Sequence, residues 1–223
     1  MFSRRHICTG AAGALLAALL AGAPAATAAD RWEKAIEAFE RTDQVQPPPT
    51  NGILFIGSSS IVKWPLRECF PNLPVINRGF GGSQIADSVH YAGRILLPYK
   101  PRIVVFYAGD NDIAAGKTPE QVLSDYQAFV AKVHQALPRT RIVYIAIKPS
   151  IRRWKLAGQM RRANRLIEAV TARDPLLEFV DVWPAMLGPA GAPRRELFVK
   201  DGLHLNRKGY ELWTSLVLPY LKK

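Results

Sequence analysis

Three serines stand in a row at Ser58, Ser59 and Ser60, just past a short apolar run in "FIGSSSIVKW". A serine hydroxyl is nearly inert alone. To attack a carbonyl carbon it needs a base for its proton, a group that orients the base, and N–H donors for the oxyanion. Residue types for each task occur further along. His204 sits in a polar loop near the C-terminus, with Asp201 three places before it. That spacing lets a carboxylate fold back onto the imidazole Nδ1–H and leaves Nε2 free to face a serine. Gly202 between them lets the loop turn. Gly82 has no side chain, so its amide can approach a substrate oxygen closely. Asn111 offers a neutral side-chain N–H that binds developing negative charge without a prior salt bridge. Each feature alone has a plainer use: Asp201, Gly82 and Asn111 all suit turns. Their order, each following an apolar run, is what points to acyl transfer.

The elements that must position these residues can be read from hydrophobic pattern. Trp32, Ile36 and Phe39 have helical spacing, which predicts a helix over Asp30–Arg41; "QVQPPPT" ends it. Short, nearly continuous apolar runs follow at Ile53–Ile56, Val75–Ile76, Ile103–Phe106, Ile142–Ile147 and Phe179–Val182. Runs of this kind suit strands buried on both faces. Helical stretches lie between them, near Ile85–Leu96, Pro119–Leu137 and Leu156–Arg173, and a last helix follows Asn206. The alternation predicts one α/β domain with a parallel sheet and helices on both faces. In such sheets ligands sit beyond the carboxyl ends of the strands. The serines, "NRGFGGS", "GDND" and "DGLH" would all stand on that rim.

Several competing motifs fail on detail. "GKT" at Gly116–Thr118 lacks the glycine a phosphate loop needs five places earlier, where Asn111 stands. Thr118, Pro119 and Gln121 instead form a helix start with a capping box. "GFGGSQ" has Gln84 in place of the third glycine of a dinucleotide fingerprint. The nucleophile elbow Gly-x-Ser-x-Gly is broken by Ile61. His90, His134 and His204 are too scattered to pair as metal ligands, so no metal is expected, and His90 and His134 read as surface or packing residues.

Four blocks, "FIGSSSI", "INRGFGGS", "YAGDNDI" and "KDGLHLN", resemble the SGNH hydrolases, or GDSL-type esterases and lipases. They span residues 55–206, and the chain looks most similar to the small members related to platelet-activating-factor acetylhydrolase. The resemblance implies a flavodoxin-like three-layer α/β/α sandwich with a five-stranded parallel sheet in the order 2-1-3-4-5. It also implies ester hydrolysis through an acyl-enzyme without a cofactor. It places the nucleophile at Ser59, the oxyanion donors at Ser59, Gly82 and Asn111, and the orienting acid and the base at Asp201 and His204. The usual Gly-Asp-Ser becomes Gly57-Ser58-Ser59 here. Ser59 would open a helix, where its own amide is free to donate. Ser58 and Ser60 are expected to point elsewhere and satisfy the turn's backbone. Asp112 is expected to be structural, Asn77 to tie the second block to its neighbours, and Trp64 to pack in the core or wall the acyl pocket. "KPSI" at Lys148–Ile151 is expected to form a rim of the entrance, with Lys148 and Arg152 solvated or meeting a negative substrate group.

The chain's 223 residues allow one ordinary domain. Residues 1–28 have a basic start at Arg4 and Arg5, an Ala/Leu run, and Ala26-Thr27-Ala28, which fits a signal-peptidase site. A leader cleaved after about Ala28 is expected, of a twin-arginine-like type, with export to the periplasm or medium and no lasting membrane insertion. The formal charge is +12, and loss of Arg4 and Arg5 would leave about +10 with Cys69 as the one cysteine. Residues 148–173 hold eight lysines and arginines. They lack aromatic interleaving and nucleic-acid signatures, which argues against that partner. They suit a solvated helix face or attraction to lipid head groups or anionic wall polymer. The expected substrates are small-acyl esters: acetylated carbohydrate, short-chain esters or lysolipids. The rivals are a non-catalytic wall-polymer-binding module and an acyltransferase using the same acyl-enzyme.

Overall fold

The computed structural model describes Met1 and residues 31–222. Apart from Met1, the expected leader lies outside the described residues. Five parallel strands form one sheet: β1 (Ile53–Gly57), β2 (Val75–Gly79), β3 (Ile103–Tyr107), β4 (Arg141–Ile145) and β5 (Leu177–Val180). Their order is β2-β1-β3-β4-β5, as in the flavodoxin-like sandwich. Every residue of the central β1 and β3 is buried, so both read as unbroken apolar runs. The edge strands are only partly covered. That explains the boundaries of β2 and β5. β2 continues through Asn77 and Arg78, polar residues that an edge strand tolerates, to Gly79. β5 begins two residues earlier than Phe179, and β4 stops at Ile145.

Longer helices cover the sheet. These are α1 (Glu33–Val45), α4 (Ile85–Ile95), α6 (Pro119–Ala136), α7 (Ala157–Thr171) and α9 (Arg207–Leu221). Short turns of helix, α2 (Ser59–Val62), α3 (Leu66–Cys69), α5 (Asp110–Ala114) and α8 (Trp183–Met186), lie between them; α2 opens at Ser59 as expected, and the other three were not legible in the pattern. α1 packs on α4, α4 on α6, and α6 on α7. The sheet face beside α2 and α9 is filled by an aromatic cluster of Phe55, Trp64, Phe70, Tyr210 and Trp213. Trp64 is buried there and donates to Thr214 Oγ1 at 3.2 Å, so it is a packing residue. Local chemistry sets the helix starts. Thr118 and Gln121 form the expected capping box, at 3.2 and 2.8 Å, with Pro119 in the first turn. Asn206 accepts from the Gly209 amide at the start of α9.

Register aligns the ends of the three strands that matter. Gly57 of β1 pairs with Gly79 of β2 and Tyr107 of β3. The chain leaves each strand at one level, so the loops that follow gather on one rim, where the crevice of an open parallel sheet lies. No described helix is long and apolar enough to cross a membrane.

Candidate active site

Gly57 ends β1 with φ +134°, and a Cβ there would lie 1.9 Å from the Tyr107 carbonyl oxygen. No other residue fits both the backbone and the space. The turn is pinned by the Ser58 amide donating to Tyr107 O at 3.0 Å and the Phe80 amide donating to Gly57 O at 2.9 Å. Ser59 then opens α2, partly exposed, with its amide outside the helical ladder. Ser58 and Ser60 are both buried. Neither hydroxyl satisfies the turn's backbone as expected. Ser58 Oγ has no partner, and Ser60 Oγ accepts from Lys148 Nζ at 3.1 Å.

The loop that the Phe198–Leu205 bridge closes off, with Asp201 and His204 in it, packs over this turn. His204 Nε2 stands 3.0 Å from Ser59 Oγ, and its Nδ1 lies 2.6 Å from Asp201 Oδ2. Asp201 Oδ1 accepts the amides of Leu203 and His204 at 2.8 and 2.9 Å. Asp201 is therefore both a turn former and the partner of the imidazole. Burial works to raise its carboxyl pKa, but the hydrogen bonds from the His204 ring and the two amides outweigh it. They hold the group well below the usual carboxylate range. An ionised Asp201 favours the proton on Nδ1 and leaves the lone pair on Nε2, facing the hydroxyl.

Gly82 follows β2 with φ +79°. Among the described residues its amide donates to no main-chain acceptor. The preceding Gly81 is close enough that a Cβ there would sit 4.0 Å from Ser59 Cβ, and its carbonyl accepts Trp32 Nε1 at 2.9 Å. The brace comes from α1, held to α4 by Arg94, whose guanidinium pairs with Glu33 and Glu40, each at 2.6 Å. Asn77 ties β2 to α2, donating to Ile61 O at 2.8 Å and accepting the Gly79 amide at 2.9 Å. Asn111, in α5, donates one Nδ2 hydrogen to Ser83 O at 2.9 Å, next to Gly82. Asp112 is fully buried and accepts from the Ile85 amide at 3.2 Å and Lys117 Nζ at 3.1 Å. Burial raises its pKa against the pull of Lys117. Asp112 is structural, as expected.

Lys148 corrects the expected rim. Its side chain is 1% exposed, and Nζ donates to Ser60 Oγ and, at 3.0 Å, to Tyr107 Oη, with Asp110 Oδ2 at 3.5 Å. Burial lowers its pKa, while Asp110 acts in the opposite direction. It touches no solvent front and cannot greet a substrate. Sequence reasoning also missed Arg153, which donates to Asp110 Oδ2 at 2.7 Å and to Asn111 Oδ1 at 2.9 Å. Both residues sit in a basic stretch that reads as solvated; only the fold reveals their buried partners. His90 is exposed, and His134 Nε2 lies 3.0 Å from Thr140 O. No metal-ligand cluster occurs among the described residues. Two surface grooves, of about 500 and 670 Å³, are lined by Trp64 with Arg78 and by Cys69 with Tyr210, and include neither Ser59 nor His204.

The arrangement can pass a proton from the Ser59 hydroxyl to a carboxylate-oriented imidazole. It also leaves the amides of Ser59 and Gly82 and one Asn111 N–H available to an oxygen beside that hydroxyl. The profile of the GDSL-like lipase/acylhydrolase family matches residues 60–212. A comparison with curated proteins finds no match. Among solved structures, one from Streptococcus pneumonia, provisionally described as a platelet activating factor, shares 24% identity with a TM-score of 0.77, over 85% of this chain and 92% of its own. A GDSL-like lipase from Bacteroides thetaiotaomicron shares 17% identity with a TM-score of 0.73, over 84% and 97% of the two chains. An acetyl-xylooligosaccharide esterase from Geobacillus stearmophilus shares 14% identity with a TM-score of 0.60, over 79% and 96%.

Proposed function

The chain belongs to the GDSL-like lipase/acylhydrolase family and is a carboxylic ester hydrolase, and from that premise we propose that it cleaves small-acyl esters through an acyl-enzyme on Ser59. His204 Nε2 takes the hydroxyl proton as Ser59 Oγ attacks the carbonyl carbon. Asp201 steadies the imidazolium that results. The amides of Ser59 and Gly82 and the side chain of Asn111 receive the oxyanion. The tetrahedral species collapses as the C–O bond to the alcohol breaks and His204 returns the proton to the leaving oxygen. Water, activated by the same imidazole, then attacks the acyl carbon and frees Ser59.

The observation that carries this reading is the single relay from Asp201 Oδ2 through both ring nitrogens to Ser59 Oγ, at 2.6 and 3.0 Å. A pure binding module has no physical use for it. Acetylated carbohydrate is the favoured substrate, supported by the fold's likeness to an acetyl-xylooligosaccharide esterase. Export by a cleaved leader over residues 1–28 belongs to the same reading, as does loose attraction of the exposed Arg161 and Arg165 on α7, and of Arg173 just past its end, to anionic polymer. A panel of chromogenic esters of rising acyl length, run on wild type and Ser59→Ala, tests it. Acetyl turnover should dominate, and Ser59→Ala should lose roughly 10⁴-fold or more in kcat. Equal turnover by the variant, or a preference for long acyl chains, would contradict it.

A further inference from the structure

The Arg153 guanidinium is shared between two neighbouring side chains: one nitrogen on Asp110 Oδ2 at 2.7 Å, another on Asn111 Oδ1 at 2.9 Å. Arg153 is mostly buried, with 18% of its side chain exposed, and Asp110 more so at 7%. Lys148 lies against the same Asp110 oxygen at 3.5 Å from the buried side. Two cations thus bracket one carboxylate, directly behind Asn111. Because a guanidinium can only donate, Asn111 must present Oδ1 to it. Because Ser83 O can only accept, Nδ2 must face the Gly82 turn. Orientation of the amide is therefore fixed from both ends, and its second N–H is left without a partner among the described residues. A charged donor on an amide oxygen also draws electron density from the amide nitrogen and strengthens its N–H as a donor.

We propose that Arg153 is a positioning residue of the oxyanion site, fixing and polarising the Asn111 amide so that its free N–H meets the developing negative charge. This rests on the reading of Asn111 as an oxyanion donor. The Arg153 charge reaches the reacting oxygen through the Asn111 amide and not through a bond of its own. Its benefit grows as charge develops on that oxygen, so it belongs to the transition state and to kcat more than to substrate affinity.

A double-mutant cycle on Asn111→Ala and Arg153→Ala, read as kcat and KM on a chromogenic acetate ester, tests this. Arg153→Ala should lower kcat about 10- to 100-fold, less than loss of the donor itself, with KM within about threefold. The double variant should be no slower than Asn111→Ala within about threefold, since one residue acts through the other. Arg153→Lys, which keeps the charge, should recover more kcat than Arg153→Gln, which keeps only a donor. If Arg153→Ala does not fold, judged by thermal melting, the lysine and glutamine variants carry the same cycle with Asn111→Ala. Losses that multiply in the double variant, or a kcat within twofold of wild type for Arg153→Ala, would overturn the proposal. An unimpaired Asn111→Ala, by contrast, would overturn the reading of the site on which it rests.

Discussion

The two halves of the proposed relay are held in opposite ways. Ser59 leaves a fully buried strand through a glycine whose Cβ position is occupied by the neighbouring strand's carbonyl. Its place is set by the sheet and cannot change without moving β1 against β3. Asp201 and His204 sit on a partly exposed loop, and the contacts that shape them are short in sequence: Asp201 to the amides of Leu203 and His204, and the His204 carbonyl to the Val199 amide at 2.9 Å. One longer tie, from the Arg152 amide to Gly202 O at 3.0 Å, joins that loop to the segment after β4. The Ser59 side is thus a product of global folding and the Asp201–His204 side of local hydrogen bonding. Damage on the first should cost structure, and damage on the second should cost chemistry alone.

The strongest challenge to that contrast is Gly57→Ala. With φ at +134° and the Tyr107 carbonyl in the way, the variant should lose about 3 kcal/mol or more and fail to give folded protein. A cooperative melt near that of wild type would show that the nucleophile turn is not framed by the sheet. Asp201→Asn should do the reverse. Its carbonyl oxygen can keep the Leu203 and His204 amides, so the melting temperature should stay within about 3 °C. Its NH₂ group would then face Nδ1 and force the proton onto Nε2, lowering kcat by about 10³–10⁴-fold. Asn111→Ala should cost about 10²–10³-fold in kcat with little change in melting.

The pH profile sharpens the same comparison. The hydrogen bonds from the His204 ring and the Leu203 and His204 amides hold the Asp201 carboxyl well below the usual range. Lowering the pH should therefore leave the Asp201 carboxylate ionised, and hydrolysis should fall along a single-proton acid limb. That gives a fall in kcat/KM of about tenfold per pH unit on the acid limb, reversed on raising the pH. A steeper, two-proton limb would mean that the carboxylate titrates as well. The smallest effect belongs to Ser58→Ala. Its hydroxyl is buried and unpartnered, so removal should change stability by about 1 kcal/mol or less in either direction, with kcat within a few-fold of wild type.

What could be read from the chain follows the same division. β1 and β3 were legible because strands buried on both faces admit only apolar residues. β2 was cut short because its polar half is an edge strand, where Asn77 and Arg78 can stand. The Thr118 cap and the Asp201–His204 spacing were legible because both are local. Lys148 and Arg153 were not. They hydrogen-bond to residues 41 to 88 positions away, and a lysine or arginine in a basic stretch gives no sign that it will be buried beside an aspartate. Nor did the pattern give the Trp32 brace on Gly81, which depends on α1 docking on α4.

The central claim is that the hydroxyl of Ser59, and not that of its two neighbours, forms the covalent bond. A phosphonofluoridate label, located by fragment mass spectrometry within the Ser58–Ser60 run, tests it most directly. One adduct on Ser59, absent from Ser59→Ala and strongly slowed in His204→Ala, is the predicted result. An adduct on Ser60, or an active enzyme that takes no label, would contradict it.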